Sequence, residues 1–196
     1  MKVIGLTGGI ATGKSAVSKM LQEKGYEVID ADVVVRRLQA VGSPLLAKIV
    51  AEFGDGVLAL DGSLNRRALG QIVFKNTDAR KRLEAVMHPA VRAEFEAQIA
   101  RSTSDVLFLD VPLLFEAGFD ALTTTNLVIR ASKENQLQRQ MLRDGLTRAQ
   151  AQARMDSQMA MSEKVTRADF VIDNDGDLRG LEEKVQRFLG EILMEG

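Results

Sequence analysis

Gly8-Gly-Ile-Ala-Thr-Gly13-Lys14-Ser15 fits G-x-x-x-x-G-K-[ST], a glycine-rich turn closed by a lysine and a hydroxyl. Each residue type answers a need of a bound polyphosphate. Glycines reach backbone angles closed to other residues, so successive N–H groups can turn inward onto phosphate oxygens. A helix starting near Lys14 adds free N–H donors and a partial positive charge. Lys14 supplies a point charge for the β- and γ-phosphates, and Ser15 a hydroxyl able to ligate Mg²⁺. The carboxylates of Asp30-Ala-Asp32 and Asp110 are further candidates. Asp110 closes the apolar run 106–109, a pattern that carries a carboxylate to Mg²⁺ directly or through water. Asp30 reads more simply as the cap of a following helix, and Asp32 stays open as a candidate for chemistry.

Arginines form a third group. Arg139 and Arg143 are four residues apart and share a helix face, and Arg148 and Arg154 follow on the next helix. They read either as an ordinary solvated surface or as part of a lid that lowers guanidinium groups onto transferring phosphates. His88, the single histidine, precedes Pro89; it reads as a residue at a helix junction or as a polar group of a substrate site.

The elements that must position these groups follow from hydrophobic spacing. Val3, Ile4 and Leu6 form a short strand ahead of the loop, and Val17, Met20 and Leu21 recur at helical spacing after it. Gly25 stops that helix, and a second strand, 26–29, ends at Asp30. Ligand groups gather at the carboxyl ends of strands in open α/β sheets, so Asp30 and Asp32 are expected near the loop's mouth. Residues 33–101 read as almost wholly helical, with helices over 33–40, Pro44–Phe53, 66–74, 79–87 and 89–101. That is too long for a crossover and reads as an inserted helical subdomain. Strands over 104–110, 126–130 and 168–174 complete the sheet, and Leu178–Met194 is an amphipathic helix. Residues 133–165 form an extra helical excursion in which Met141 and Leu142 supply one packed side and alanines the rest.

The spacing predicts one α/β domain over 1–196, with a five-stranded parallel sheet covered by helices on both faces. Its core is 1–32, 102–132 and 166–196, its helical subdomain 33–101, and its lid 133–165. A net charge of −1 provides no global attraction for nucleic acid or an anionic membrane, so any basic site is local. No cysteine is present, which excludes disulfides and thiolate chemistry. No apolar run spans a membrane and the N-terminus lacks a signal-peptide layout, so a cytoplasmic location is expected. Nothing in the sequence bears on oligomeric state; a monomer is the default expectation.

Taken together, Gly8–Ser15, Asp30-Ala-Asp32, His88-Pro89, Asp110-Val-Pro-Leu-Leu-Phe-Glu116 and Ala168-Asp-Phe-Val-Ile-Asp-Asn174 resemble the dephospho-CoA kinase family, in its order and spacing and nearly end to end. The resemblance implies a P-loop kinase fold and transfer of the γ-phosphate of ATP to the ribose 3′-hydroxyl of dephospho-CoA, with Mg²⁺. It implies nucleotide binding by Gly9, Ile10, Ala11, Thr12, Gly13, Lys14, Ser15 and Ala16, with Ser15 and Asp110 on the metal. It also implies that Asp32 accepts the hydroxyl proton and that Arg139 and Arg143 are lid arginines. Arg66, His88, Leu113, Leu114, Phe115 and Glu116 fall on the acceptor side. Three positions depart from the family's usual G-G-I-G-S-G-K-S-T: Ala11 replaces a glycine, Thr12 a serine and Ala16 a threonine. Another P-loop small-molecule kinase, such as a nucleoside monophosphate kinase, or a nucleotide-dependent switch is the competing reading.

Overall fold

Every residue of Val106–Asp110 is buried, as expected of a strand covered on both faces. The computed structural model describes residues 1–194. In chain order its elements are β1 (Lys2–Gly8), α1 (Lys14–Glu23), β2 (Glu27–Asp30), α2 (Ala31–Leu38), α3 (Pro44–Phe53), α4 (Arg66–Lys75), α5 (Thr77–Arg101), β3 (Val106–Asp110), β4 (Thr125–Arg130), α6 (Lys133–Asp144), α7 (Arg148–Asp156), α8 (Met161–Thr166), β5 (Phe170–Asp173) and α9 (Leu178–Met194). The chain divides into two units, Met1–Ile29 with the chain from Ser102 onward, and Asp30–Arg101.

The first unit holds a parallel sheet in the order β2-β3-β1-β4-β5. Alternation along the strands sorts their side chains. Ile4, Leu6, Phe108, Leu127 and Ile129 pack against Val17 and Leu21 of α1 and Leu181, Val185, Phe188 and Leu189 of α9. Residues of the opposite parity, Val3, Leu107, Leu109 and Val128, are buried as well, so both sheet faces are covered. Full burial of such a side chain contributes about 1.5–3 kcal/mol, which makes this layer the rigid base of the first unit. Leu6 sits opposite Asp110, and Gly8 opposite Ile129, so β1, β3 and β4 end at one edge of the sheet. Among the described residues no helix is long and apolar enough to cross a membrane.

The second unit is built on α5, which touches α2, α3 and α4. Its core joins Leu45, Leu46, Ile49, Val57, Leu64 and Leu69, with Leu83, Val86, Met87 and Ala90 of α5 packed against them. Sequence spacing breaks the chain into two helices at His88-Pro89, whereas the structure carries one 25-residue helix through Pro89. A mid-helix proline costs roughly 3 kcal/mol. Here Met87 and Ala90 pack on either side of it, and Val91 and Phe95, two and six residues further on, are buried. Packing on both sides outweighs the local preference to stop.

Candidate active site

The phosphate loop begins where β1 runs out. Gly13 has φ 96° and opens α1 with no side-chain cap. The Ala16 N–H donates to the Gly13 carbonyl at 3.0 Å, and no side chain caps the Lys14 and Ser15 N–H groups ahead of it, the position a bound anion takes at a helix start. A Cβ at Gly13 would also collide with the Asn174 amide, which gives a second reason for glycine. Ala11 has φ 58°, the one left-handed non-glycine among the described residues. That conformation carries a local cost of roughly 1–2 kcal/mol for an L-residue.

Three side chains from outside the loop hold its crown, residue by residue. Gln158 Oε1 accepts from the Ile10 N–H at 3.2 Å. Arg139 donates to the Ala11 carbonyl at 3.3 Å and to the Asn174 carbonyl at 2.9 Å. Asn174 Nδ2 donates to the Thr12 carbonyl at 2.8 Å. Thr12 turns its own hydroxyl onto the Gly9 carbonyl at 3.0 Å. The loop is therefore braced by α6, by the end of β5 and by the connection between α7 and α8.

Lys14 and Asp110 form an ion pair, with Asp110 almost fully buried and the lysine partly exposed. The lysine and the strand-terminal carboxylate are thus direct neighbours, and Ser15 follows Lys14 at the start of α1. A hydroxyl and one carboxylate are oxygen donors of the kind Mg²⁺ takes when its other ligands are phosphate oxygens and water. Among the described residues no cluster of three His, Asp or Glu side chains offers an all-protein metal cage.

The segment after β3 lacks regular structure, and its residues separate by exposure. Leu114 and Phe115 are buried, Leu113 is 43% exposed, and the Glu116 carboxylate is held by Lys164 and the Met159 N–H. Lys164 and Gln158 carry no motif signal. Only burial and hydrogen bonding reveal them.

Arg139 and Arg143 part company on α6. Arg139 meets the loop, while Arg143 is paired with Asp144 at 2.8 Å on the exposed surface. The Asp144 hydrogen bond raises the Arg143 pKa, and the same contact lowers that of Asp144. Arg148 pairs with Glu134 at 2.7 Å and holds its carboxyl below the usual range. The sequence reading gives Met141 and Leu142 the packed side of this helix. The structure corrects it: Gln136, Leu137 and Gln140 are buried, and Leu142 is 87% exposed. Gln136 can be buried because its amide donates to the Ala131 carbonyl at 2.9 Å, satisfying the polar group.

Within the second unit, Asp30 caps α2 by accepting from the Asp32 and Val33 N–H groups at 2.7 and 3.2 Å. Asp32 lies in the first turn of α2 and is exposed. Arg66 opens α4 and donates to Gln39 Oε1 at 3.2 Å. Gln39 in turn reaches the Met87 sulfur at 3.6 Å, one residue before the half-buried His88.

A family model for dephospho-CoA kinase matches residues 2–180. The dephospho-CoA kinase of Symbiobacterium thermophilum is 49% identical over 181 residues, covering 91% of this chain and 76% of that one. Among solved structures, dephospho-CoA kinase from Campylobacter jejuni matches with a TM-score of 0.73 at 33% identity, over 97% of this chain and 96% of that one. Shikimate kinase from Acinetobacter baumannii matches with a TM-score of 0.56 at 16% identity, over 100% of this chain and 94% of that one, a likeness of fold alone.

Proposed function

The chain belongs to the dephospho-CoA kinase family, and from that premise we propose how its residues divide the transfer of the ATP γ-phosphoryl group to the ribose 3′-hydroxyl of dephospho-CoA. The observation that carries the assignment is the uncapped start of α1 behind a left-handed Gly13, with Lys14 beside Asp110. Residues 9–16 cradle the ATP phosphates. On ATP binding Lys14 exchanges Asp110 for the β- and γ-phosphate oxygens. Asp110 and the Ser15 hydroxyl are the residues that would hold Mg²⁺, and the ion would supply charge to offset that of the phosphates.

The acceptor side takes Asp32, Arg66, His88 and Leu113–Glu116. The 3′-oxygen attacks the γ-phosphorus, the bond to the bridging oxygen breaks, and ADP leaves with that electron pair. Asp32 receives the hydroxyl proton late, since phosphoryl transfer has a loose transition state that asks more for alignment than for a strong base. Arg139 supplies charge at the rim of the loop, and Arg143 arrives when residues 133–165 close as a lid. Three features support closure. Ala151 is the one buried side chain of α7, the segment carries exposed ion pairs, and Leu142 faces solvent. We assign core 1–32, 102–132 and 166–196, acceptor subdomain 33–101, and a cytoplasmic monomer working on these two small molecules.

The test is to combine enzyme, ATP, Mg²⁺ and dephospho-CoA and weigh the product. A gain of one phosphate at the 3′ position, lost on chelating the metal, is expected; ADP released equally without acceptor would oppose it. Asp32→Asn should lower kcat roughly 10²–10⁴-fold, the span of a positioned general base, with ATP affinity held. Loss confined to ATP affinity would move Asp32 to the metal side.

A further inference from the structure

Among the described residues Lys164 is the largest charged side chain wholly removed from water, at 0% exposure, and it sits on the six-residue helix α8. Its ammonium donates to the Pro112 carbonyl at 3.1 Å and to Glu116 Oε2 at 3.0 Å, and Glu116 Oε1 lies 2.8 Å away in the same ion pair. The charge is thus both paired and hydrogen-bonded. Even so, a buried ion pair is weak support for stability, because an apolar pair of similar volume often does as well or better. What such a pair does well is hold one arrangement among several. The arrangement at stake is 111–118, which has no helix or strand to fix it.

The other contacts converge on the same stretch. Thr7, just ahead of the phosphate loop, donates its hydroxyl to the Pro112 carbonyl at 3.0 Å. The Met159 N–H donates to Glu116 Oε1 at 3.3 Å. Arg167, immediately after α8, lies 4.7 Å over the Phe115 ring and pairs with Asp120 at 3.0 Å. Residues 159–167 thus grip 112–120 at four points, and Lys164 is the buried one.

We propose that Lys164 is a positioning residue for the acceptor substrate, setting the course of Pro112–Glu116 through Glu116 and the Pro112 carbonyl without touching either substrate. The inference rests on the reading that Leu113–Glu116 borders dephospho-CoA. Its consequence is a coupling between the excursion 133–165, which ends in α8, and the acceptor-side segment.

Lys164→Met keeps length and packs in an apolar site, and the partly exposed Glu116 left behind can turn to water, so the variant should fold. The expected result is a roughly 10- to 100-fold fall in kcat/KM for dephospho-CoA, the size of effect a small misplacement produces. KM for ATP should stay within about twofold, because the bracing of the phosphate loop by Arg139, Asn174 and Gln158 is untouched. Arg167→Met, at a surface position, should show the same split more weakly, and gives the reading if Lys164→Met does not fold. Equal losses for both substrates, or a lowered Tm with unchanged kcat/KM for dephospho-CoA, would mean that Lys164 only supports the fold. Leu113→Ala separates the two premises. If it weakens the acceptor while both other variants do not, the positioning role is overturned. If it too leaves the acceptor unaffected, the acceptor-side reading of the segment falls first.

Discussion

The inner and outer ends of α6 belong to one helix and carry arginines one turn apart, but they meet different surroundings. At Arg139 the guanidinium donates to two backbone carbonyls, those of Ala11 and Asn174, and its neighbours Gln136 and Gln140 are buried. At Arg143 it meets one carboxylate on the exposed surface, Asp144, which also takes Arg154 at 3.0 Å. Carbonyls of a braced loop cannot leave, so the first contact is part of the fold. Exposed ion pairs hold little, typically 0–1 kcal/mol, so the second can be traded for a phosphate. The same side chain at helical spacing therefore braces the loop in one place and forms a surface ion pair in the other.

The sharpest control on this contrast is a cation of neither kind. Lys14→Ala removes the charge aimed at the phosphates and leaves the contacts of Gln158, Arg139 and Asn174 with the loop standing. Its kcat should fall by about 10³-fold, and Tm should drop as well because the buried Asp110 loses its ion-pair partner. Near-normal turnover in that variant would remove the basis for comparing the two arginines at all. Arg139→Ala should come next. It frees the Ala11 and Asn174 carbonyls and strips charge from the rim, so kcat/KM for ATP is expected to drop about 10²-fold along with Tm. A catalytic loss without any change in Tm would make Arg139 a ligand contact and not a brace.

Arg143→Ala should cost about tenfold in kcat, with Tm and both KM values little changed, since its native partner is only Asp144. A larger effect on Tm than on kcat would break the contrast from the other end. The smallest effect concerns the start of α6. Hydrogen bonds from the Ser132 N–H and the Asn135 amide hold the Asp175 carboxyl below its ordinary 3.8. The folded state then binds that proton less tightly than the unfolded one, so the stabilisation is present above the unfolded value and fades as pH falls through the lower folded one. Asp175→Asn should lower the unfolding free energy slightly at neutral pH, by less than ~1 kcal/mol because the carboxylate is exposed. The gap to the parent should close below about pH 4; a gap that widens there would reverse the sign.

Much of this was legible in the residues themselves. The loop motif, the cap at Asp30 and the strand-terminal Asp110 depend on near neighbours in sequence, and local chemistry carries them. Arg139 and Arg143 illustrate the limit: spacing puts two side chains on one face but does not say what the face looks at. Lys164 and Gln158 were invisible because an isolated lysine or glutamine reads as solvated surface until the fold supplies Glu116 or the Ile10 N–H. The passage of α5 through Pro89 was equally hidden, since contacts distant in sequence override the local stop signal. The packed side of α6 was misjudged for a related reason: a buried glutamine is acceptable once its amide is bonded, and hydropathy alone does not count that bond.

The most direct test of the central claim, a fixed inner end and a closing outer end on one helix, is hydrogen exchange across residues 133–165, with and without ATP and dephospho-CoA together. Amides of 136–140 should be protected in both states, and those of 143–158 should gain protection only when both substrates are bound. Equal protection across the whole segment in the two states would contradict closure and make 133–165 a rigid part of the core.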